Sequence, residues 1–183
     1  IRDLVRSRGL GDVYKRQNLT LTNINGLCRI ALDKLKKTYE QDIQEKNIRI
    51  IFDNLTLSLM MEVNVEQFSK VLAGILKNSM YALLKKSETV TFSPEIFLGL
   101  KVNKDMLEIT IRDNGSGIDE NIKDKIFAPF FTTKTTGEAA GVGLYLCREI
   151  VQNHRGTIEV ESKKGEYTQF LITIPVYQPK TIT

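Results

Sequence analysis

The chain has 183 residues, 42% of them hydrophobic and 26% charged, a balance that suits one soluble globular domain and is too apolar for wholesale disorder. No window reaches the roughly 18 uninterrupted apolar residues of a membrane span, and the charged start lacks the apolar stretch of a signal peptide, so neither a span nor a leader is expected. The formal charge of +4 implies an anionic polymer as partner only if that charge is spread over the domain.

Most of it sits in a tail. Residues 1–17, IRDLVRSRGLGDVYKRQ, hold Arg2, Arg6, Arg8, Lys15 and Arg16 against Asp3 and Asp12, a net +3, whereas the remainder has 21 basic against 20 acidic residues, a net +1. Gly9 and Gly11 interrupt any helix here, and no amphipathic period is sustained. The run from Asp12 to Gln17 resembles the in-frame translation of a transposon-adapter end used in sequencing libraries. Residues 1–17 are therefore read as a non-native or disordered tail and residues 18–183 as one domain. Nucleic acid is not expected as a partner, because no basic patch is interleaved with aromatics. Cys28 and Cys147 fall on helical apolar patterns and read as buried free thiols. His154 is the lone histidine, which excludes a multi-histidine metal site, and nothing has zinc-ligand spacing.

Along the domain, Ile24, Leu27, Cys28, Ala31, Leu32 and Leu35 predict a helix from Ile24 to about Glu45 with one buried face. Ile48–Phe52 and Leu57–Met60 are short β-type runs around the turn-like Asp53-Asn54. Asn64, with Gln67 three residues on, has the form of an N-cap with a capping box, and opens a helix to about Lys86. Its apolar stripe runs Val65, Phe68, Val71, Leu72, Ile75, Leu76, Ser79, Ala82, Leu83. Ile96–Val102 and Met106–Asp113 pair as a hairpin around Asn103-Lys104-Asp105. Residues 114–142 are rich in glycine and threonine with no regular period, a long loop of the kind that usually carries function. A helix from about Val142 to Asn153 follows, then strands Thr157–Ser162 and Tyr167–Pro175 joined at Lys163-Lys164-Gly165. The order favours a two-layer α/β (α+β) sandwich: a mixed, largely antiparallel sheet with about three helices on one face.

Four segments carry chemistry. Asn78 sits mid-helix, where asparagine is a poor choice, and its amide oxygen suits a hard cation such as Mg²⁺. Asp113-Asn114-Gly115-Ser116-Gly117-Ile118 ends an alternating strand: an acceptor-only carboxylate suits a donor such as an exocyclic amine, and the glycines let backbone approach a flat ligand. Ile126-Phe127-Ala128-Pro129-Phe130-Phe131-Thr132-Thr133-Lys134 places three aromatics in the loop, as a docking lid would, with Thr132, Thr133 and Lys134 as phosphate partners. Gly141-Val142-Gly143-Leu144 opens a helix whose exposed N–H groups and dipole suit phosphate. Each segment alone also reads as an ordinary feature: an exposed asparagine, a tight turn, a pinned loop, a helix start.

Together, and in this order, the four resemble the N, G1, F and G2 boxes of the GHKL ATP-binding superfamily, most closely the catalytic domain (HATPase_c) of sensor histidine kinases. The resemblance covers roughly residues 20–176. It implies the Bergerat fold, with ATP between helices and sheet under a lid at about 114–142. By motif position it implies that Asn78 is the Mg²⁺ ligand, that Asp113 accepts from the adenine amine, that Gly117 lines the base, and that Tyr81, Gly115, Ile118 and Phe127 belong to the ATP site. Thr168 would support adenine through water. Thr132, Thr133 and Lys134 would belong to the lid, and Gly141, Val142, Gly143 and Leu144 to the phosphate turn. His154 falls in the family's His-Gly-Gly turn and reads as structural. The implied reaction is transfer of the γ-phosphoryl of MgATP to a histidine on a dimerising helical hairpin absent from this chain. A response regulator would lie downstream, the full-length protein would be a homodimer, and the domain would be cytoplasmic, with inner-membrane anchoring left open.

The chain departs from the family at several positions. Gly74 stands where relatives have a second asparagine or a catalytic glutamate, which argues against hydrolysis of the gyrase or chaperone kind. Ala139 replaces the first G2 glycine, Ala128 an F-box glutamate, Asn64 an aspartate, and Tyr81 a phosphate-facing lysine. Two alternatives remain: a non-catalytic ATP-binding module on the same fold, and a serine kinase of the anti-sigma-factor type.

Overall fold

The computed structural model describes residues 19–133 and 141–176; the 1–17 tail, Lys134 and Ala139 lie outside the described residues. In chain order the elements are β1 (Thr20–Asn23), α1 (Ile24–Thr38), α2 (Glu40–Lys46), β2 (Arg49–Asp53), β3 (Met60–Val63), α3 (Val65–Ser87), β4 (Glu95–Asn103), β5 (Met106–Asp113), α4 (Glu120–Lys123), α5 (Gly143–Asn153), β6 (Thr157–Lys163) and β7 (Tyr167–Pro175). None of the described helices is long and apolar enough to cross a membrane.

The main sheet has the order β2-β4-β5-β7-β6; β2 pairs with β4 in parallel and the other pairings are antiparallel. The expected mixed, largely antiparallel sheet is therefore observed. On β5, Leu107, Ile109, Ile111 and Asp113 point to one buried face, as period-2 alternation requires. The register sets Ile96, Leu98 and Leu100 of β4 on one side of this row and Thr168, Phe170, Ile172 and Ile174 of β7 on the other. Helices α1, α3 and α5 pack side by side over the sheet, α3 in the middle. Its stripe of Phe68, Val71, Leu72, Ile75, Leu76, Met80 and Leu83 is fully buried. At about 25 cal/mol per Å² of apolar surface removed from water, this stripe is the main link between helix layer and sheet.

The capping signal at α3 is real: the Asn64 side chain accepts from the Gln67 N–H at 3.0 Å. The expected first helix instead breaks at Tyr39 into α1 and α2, and Tyr39 closes α1 by donating its N–H to the Leu35 carbonyl at 3.0 Å. The expected strand at Leu57–Met60 lies three residues later, at Met60–Val63, because it pairs with β1, a strand that no alternation announces. In the long loop, α4 forms one turn, capped by Asp119 accepting from Asn121 N–H at 3.1 Å.

Candidate nucleotide site

A cavity of about 470 Å³ opens between α3, the start of α5 and the ends of β5 and β7. Its closed end is built around Asp113, the last inner-face residue of β5, which is 2% exposed. The carboxylate accepts from the Gly115 N–H at 3.0 Å. The Ser79 hydroxyl is buried beside it and pulls on its charge, yet makes no hydrogen bond of good geometry and has no other partner among the described residues. Burial pushes the carboxyl up to about 6, opposed by Ser79, the Gly115 N–H and the charge of Lys86. A buried acceptor with incomplete partners is a site that a donor from a ligand would complete.

Thr168 lies opposite Asp113 in the β5–β7 register and is buried. Ser162 Oγ accepts from the Ile118 N–H at 2.8 Å and donates to the Tyr167 carbonyl at 2.7 Å. The 3.2 Å contact between Ser162 and Thr168 hydroxyls then has Thr168 as donor, which leaves Thr168 lone pairs as acceptors on the cavity side. The turn between β5 and α4 is pressed onto the β6–β7 turn: Gly165 N–H donates to the Ser116 carbonyl at 2.7 Å. Gly117 has φ +63°, and a Cβ there would stand 2.2 Å from the Lys163 carbonyl oxygen, so only glycine fits.

At the other end, α5 begins at Gly143 with Val142 as N-cap and no side chain capping it. Its first N–H groups and positive dipole end therefore lie at the cavity without a side-chain acceptor among the described residues. Gly141 has φ +70° and sits against the Phe130 and Phe131 backbone, whereas a Cβ on Gly143 would meet nothing within 4 Å. That open space is where a ligand could approach the backbone.

Of the residues singled out from the sequence, Asn78, Tyr81, Asp113, Gly117, Ile118, Thr132, Thr133, Gly141, Val142, Gly143, Leu144 and Thr168 all line this one cavity. Gly115 and Phe127 do not. Gly115 is buried, and a Cβ there would come within 2.7 Å of Ala82; Phe127 is in the core, edge-on to Phe170 at 6.3 Å between ring centres. The lid reading of the aromatics needs correction to that extent: Ile126 and Phe127 anchor the segment, and Phe130 is the exposed one. Ser79, Lys85, Asp119, Ile122, Lys164 and Phe170 also line the cavity and were not singled out. Ser79 had a signal, a small hydroxyl within an apolar helical stripe, and Lys164 one, a cation in a predicted turn.

An α/β sandwich with a buried acceptor at the closed end of its cavity and an uncapped, glycine-opened helix at the other is a nucleotide-binding architecture. Residues 64–178 match the family described as "Histidine kinase-, DNA gyrase B-, and HSP90-like ATPase". The chain is 35% identical over 149 residues to cyanobacterial phytochrome A of Nostoc sp., covering 80% of this chain and 18% of that protein. It is 35% identical over 151 residues to a probable C4-dicarboxylate sensor kinase of Halalkalibacterium halodurans, covering 82% and 27%. With the sensor histidine kinase ZraS of Salmonella typhi it shares 28% over 167 residues, covering 90% and 33%. Among solved structures, the catalytic domain of histidine kinase ThkA superposes with a TM-score of 0.71 at 28% identity, covering 87% of this chain and 97% of that one. The chain thus belongs to the histidine kinase-, gyrase B- and HSP90-like ATPase family, with the fold of a histidine-kinase catalytic domain. It spans between 18% and 33% of the length of these three relatives.

Proposed function

We propose that this domain presents MgATP, within a two-component sensor histidine kinase, for γ-phosphoryl transfer to a histidine on a dimerising helical hairpin in another part of the protein. The observation that carries the reading is the pairing of two unfinished ends in one cavity: Asp113, buried and short of donors, and α5, short of a cap. Asp113 accepts from the adenine amine while Thr168 offers a lone pair beside it. The first N–H groups of α5, opened by Gly141 and Gly143, hold phosphate oxygens.

Among the described residues no group of three His, Cys, Asp or Glu side chains is placed to hold a metal ion. Asn78 lines the cavity and is the oxygen donor suited to Mg²⁺, which prefers few protein ligands together with phosphate oxygens and water, so the residues fit. When bound, the ion neutralises charge on the phosphates. The protein supplies position and charge, as phosphoryl transfer requires, and the attacking histidine comes from elsewhere.

The partners proposed with this reading are the phosphoacceptor hairpin, a second copy through that hairpin, and a response regulator. ThkA has been solved in complex with the response regulator TrrA, which supports the last of these. A cytoplasmic location goes with this reading, because ATP is its substrate. Calorimetry with MgATP tests the core of the proposal: the chain binds, and Asp113→Asn loses at least tenfold in affinity with its fold intact, as loss of a charged buried hydrogen bond implies. Labelled ATP with the chain's own hairpin added in trans then reads phosphohistidine on the hairpin. Tight ATP binding without phosphohistidine would make the domain a non-catalytic nucleotide sensor.

A further inference from the structure

Two carboxylates line the cavity, Asp113 and Asp119, along with two cations among the described residues, Lys85 and Lys164. Asp113 is turned into the closed end and engaged by Gly115. Asp119 stands at the rim, 34% exposed, where a fixed negative charge opposes an anionic ligand. Lys164, from the β6–β7 turn, donates to its Oδ2 at 2.7 Å. This pair is not needed to hold the two segments together. Gly165 N–H to the Ser116 carbonyl, and the close seating of Gly117 on Lys163, already do that. An exposed ion pair contributes little to stability in any case, and Lys164 is 74% exposed. What the pair does have is position: both residues line the cavity.

We propose that Lys164 acts as a charge guard for the nucleotide site, cancelling Asp119 at the rim so that the cavity accepts polyanionic nucleotides, and that the pair sets the preference for ATP over uncharged nucleosides. The proposal rests on the nucleotide reading of the site. It requires no contact between Lys164 and phosphate, because Coulomb interactions at the rim extend over about 8–10 Å at ordinary salt. Lys85, 5.9 Å from the Tyr81 ring centre and without an ion pair among the described residues, adds a second positive charge on the α3 side. With Asp119 neutralised, Lys85 is the unbalanced charge at the rim among the described residues.

The test is a double-mutant cycle on the full chain, measured by calorimetry with ATP and with adenosine at fixed Mg²⁺. The readout is the ratio of the two affinities. Lys164→Gln exposes Asp119 and lowers the ATP-to-adenosine ratio by about fivefold, a loss that shrinks as salt is raised. Asp119→Asn, which keeps an N-cap residue for α4, frees Lys164 and raises the ratio by a similar factor. The double variant returns close to the starting ratio. Equal changes for ATP and adenosine, or no response to Asp119→Asn, would overturn the guard. If the unsubstituted chain binds neither ligand, the nucleotide reading itself falls.

Discussion

The Nε2 of His154 accepts the backbone N–H of Asn64 at 3.1 Å, a bond across 90 residues that ties the end of α5 to the start of α3. Its Nδ1 lies 2.7 Å from the Ile150 carbonyl oxygen. A carbonyl can only accept, so Nδ1 carries the ring proton and Nε2 the lone pair. Asn64 in turn caps α3, the helix that bears Asn78. With both nitrogens engaged, the one histidine of the chain is a fastener for the helix that positions the cavity.

His154→Ala should therefore destabilise the domain by about 1–2 kcal/mol, from an unpaired, half-buried N–H and the lost edge contact with Phe68. Urea unfolding followed by circular dichroism measures this. A loss under about 0.5 kcal/mol, the level of an ordinary surface substitution, would contradict the fastening role. Labelled ATP should leave no label on His154.

Asp113 gives the domain a pH dependence whose sign is set by burial. Its folded value of about 6 lies above the ordinary 3.8, so the native state binds this proton more tightly than the unfolded chain does. The associated stability is fully present below about 4 and is lost as pH rises through about 6, leaving an ionised buried carboxylate that costs on the order of 3 kcal/mol at neutral pH. Asp113→Asn should thus stabilise the ligand-free chain near pH 7 by about 1–3 kcal/mol and flatten its stability between about pH 4 and 7. ATP affinity should move the other way: it should strengthen in the unsubstituted chain as pH rises through about 6. Denaturant midpoints and calorimetry across that range give both. An Asp113→Asn chain less stable than its parent at pH 7 would refute the burial cost.

These two relationships show what was legible in the sequence. Asn64 with Gln67 announced the start of α3 because a cap is local chemistry, complete within four residues. The hairpin around Lys104, at φ +56°, was equally local. The break at Tyr39 was not, since no glycine or proline marks it and the apolar spacing continues through Ile43. Strand β1 and the parallel pairing of β2 with β4 depend on partners 37 or more residues away, which no period in either segment encodes. Most of the cavity was readable because its residues cluster in motifs. Asp119 and Lys164 escaped because their meaning lies in a pairing across 45 positions.

Cys28 and Cys147 are buried, and burial alone pushes their thiols up, to about 12 and about 11. Neither should react with a disulfide reagent in the native chain, and both should react at once in denaturant. A Cβ on Gly74 would lie 3.2 Å from the Cys147 sulfur, tighter than an ordinary contact. Gly74→Asn should cost about 1–3 kcal/mol through overpacking, and Cys147→Ala should recover part of that loss, a coupling that denaturant midpoints of the four variants would reveal. Strict additivity would place the strain elsewhere.

Gly117 and Gly143 both belong to glycine-rich segments, yet they should respond oppositely to alanine. At Gly117 the backbone is left-handed and a Cβ collides with the Lys163 carbonyl at 2.2 Å. Gly117→Ala should disrupt the joint between the two turns and destabilise the chain by about 3 kcal/mol or more, because strain and collision add. At Gly143 nothing lies within 4 Å of the added carbon, and the residue begins α5. Gly143→Ala should leave stability unchanged or raise it by up to about 1 kcal/mol, since alanine is the better helix former. Its cost should appear in the ligand: a methyl group in the open approach to the first N–H groups of α5 keeps phosphate oxygens at a distance. ATP and ADP affinities should fall by about tenfold, the scale of one lost charge-assisted hydrogen bond, while adenosine affinity should hold. Thermal unfolding paired with calorimetry separates the two effects. Equal losses for ATP and adenosine in Gly143→Ala would remove the start of α5 from the phosphate site.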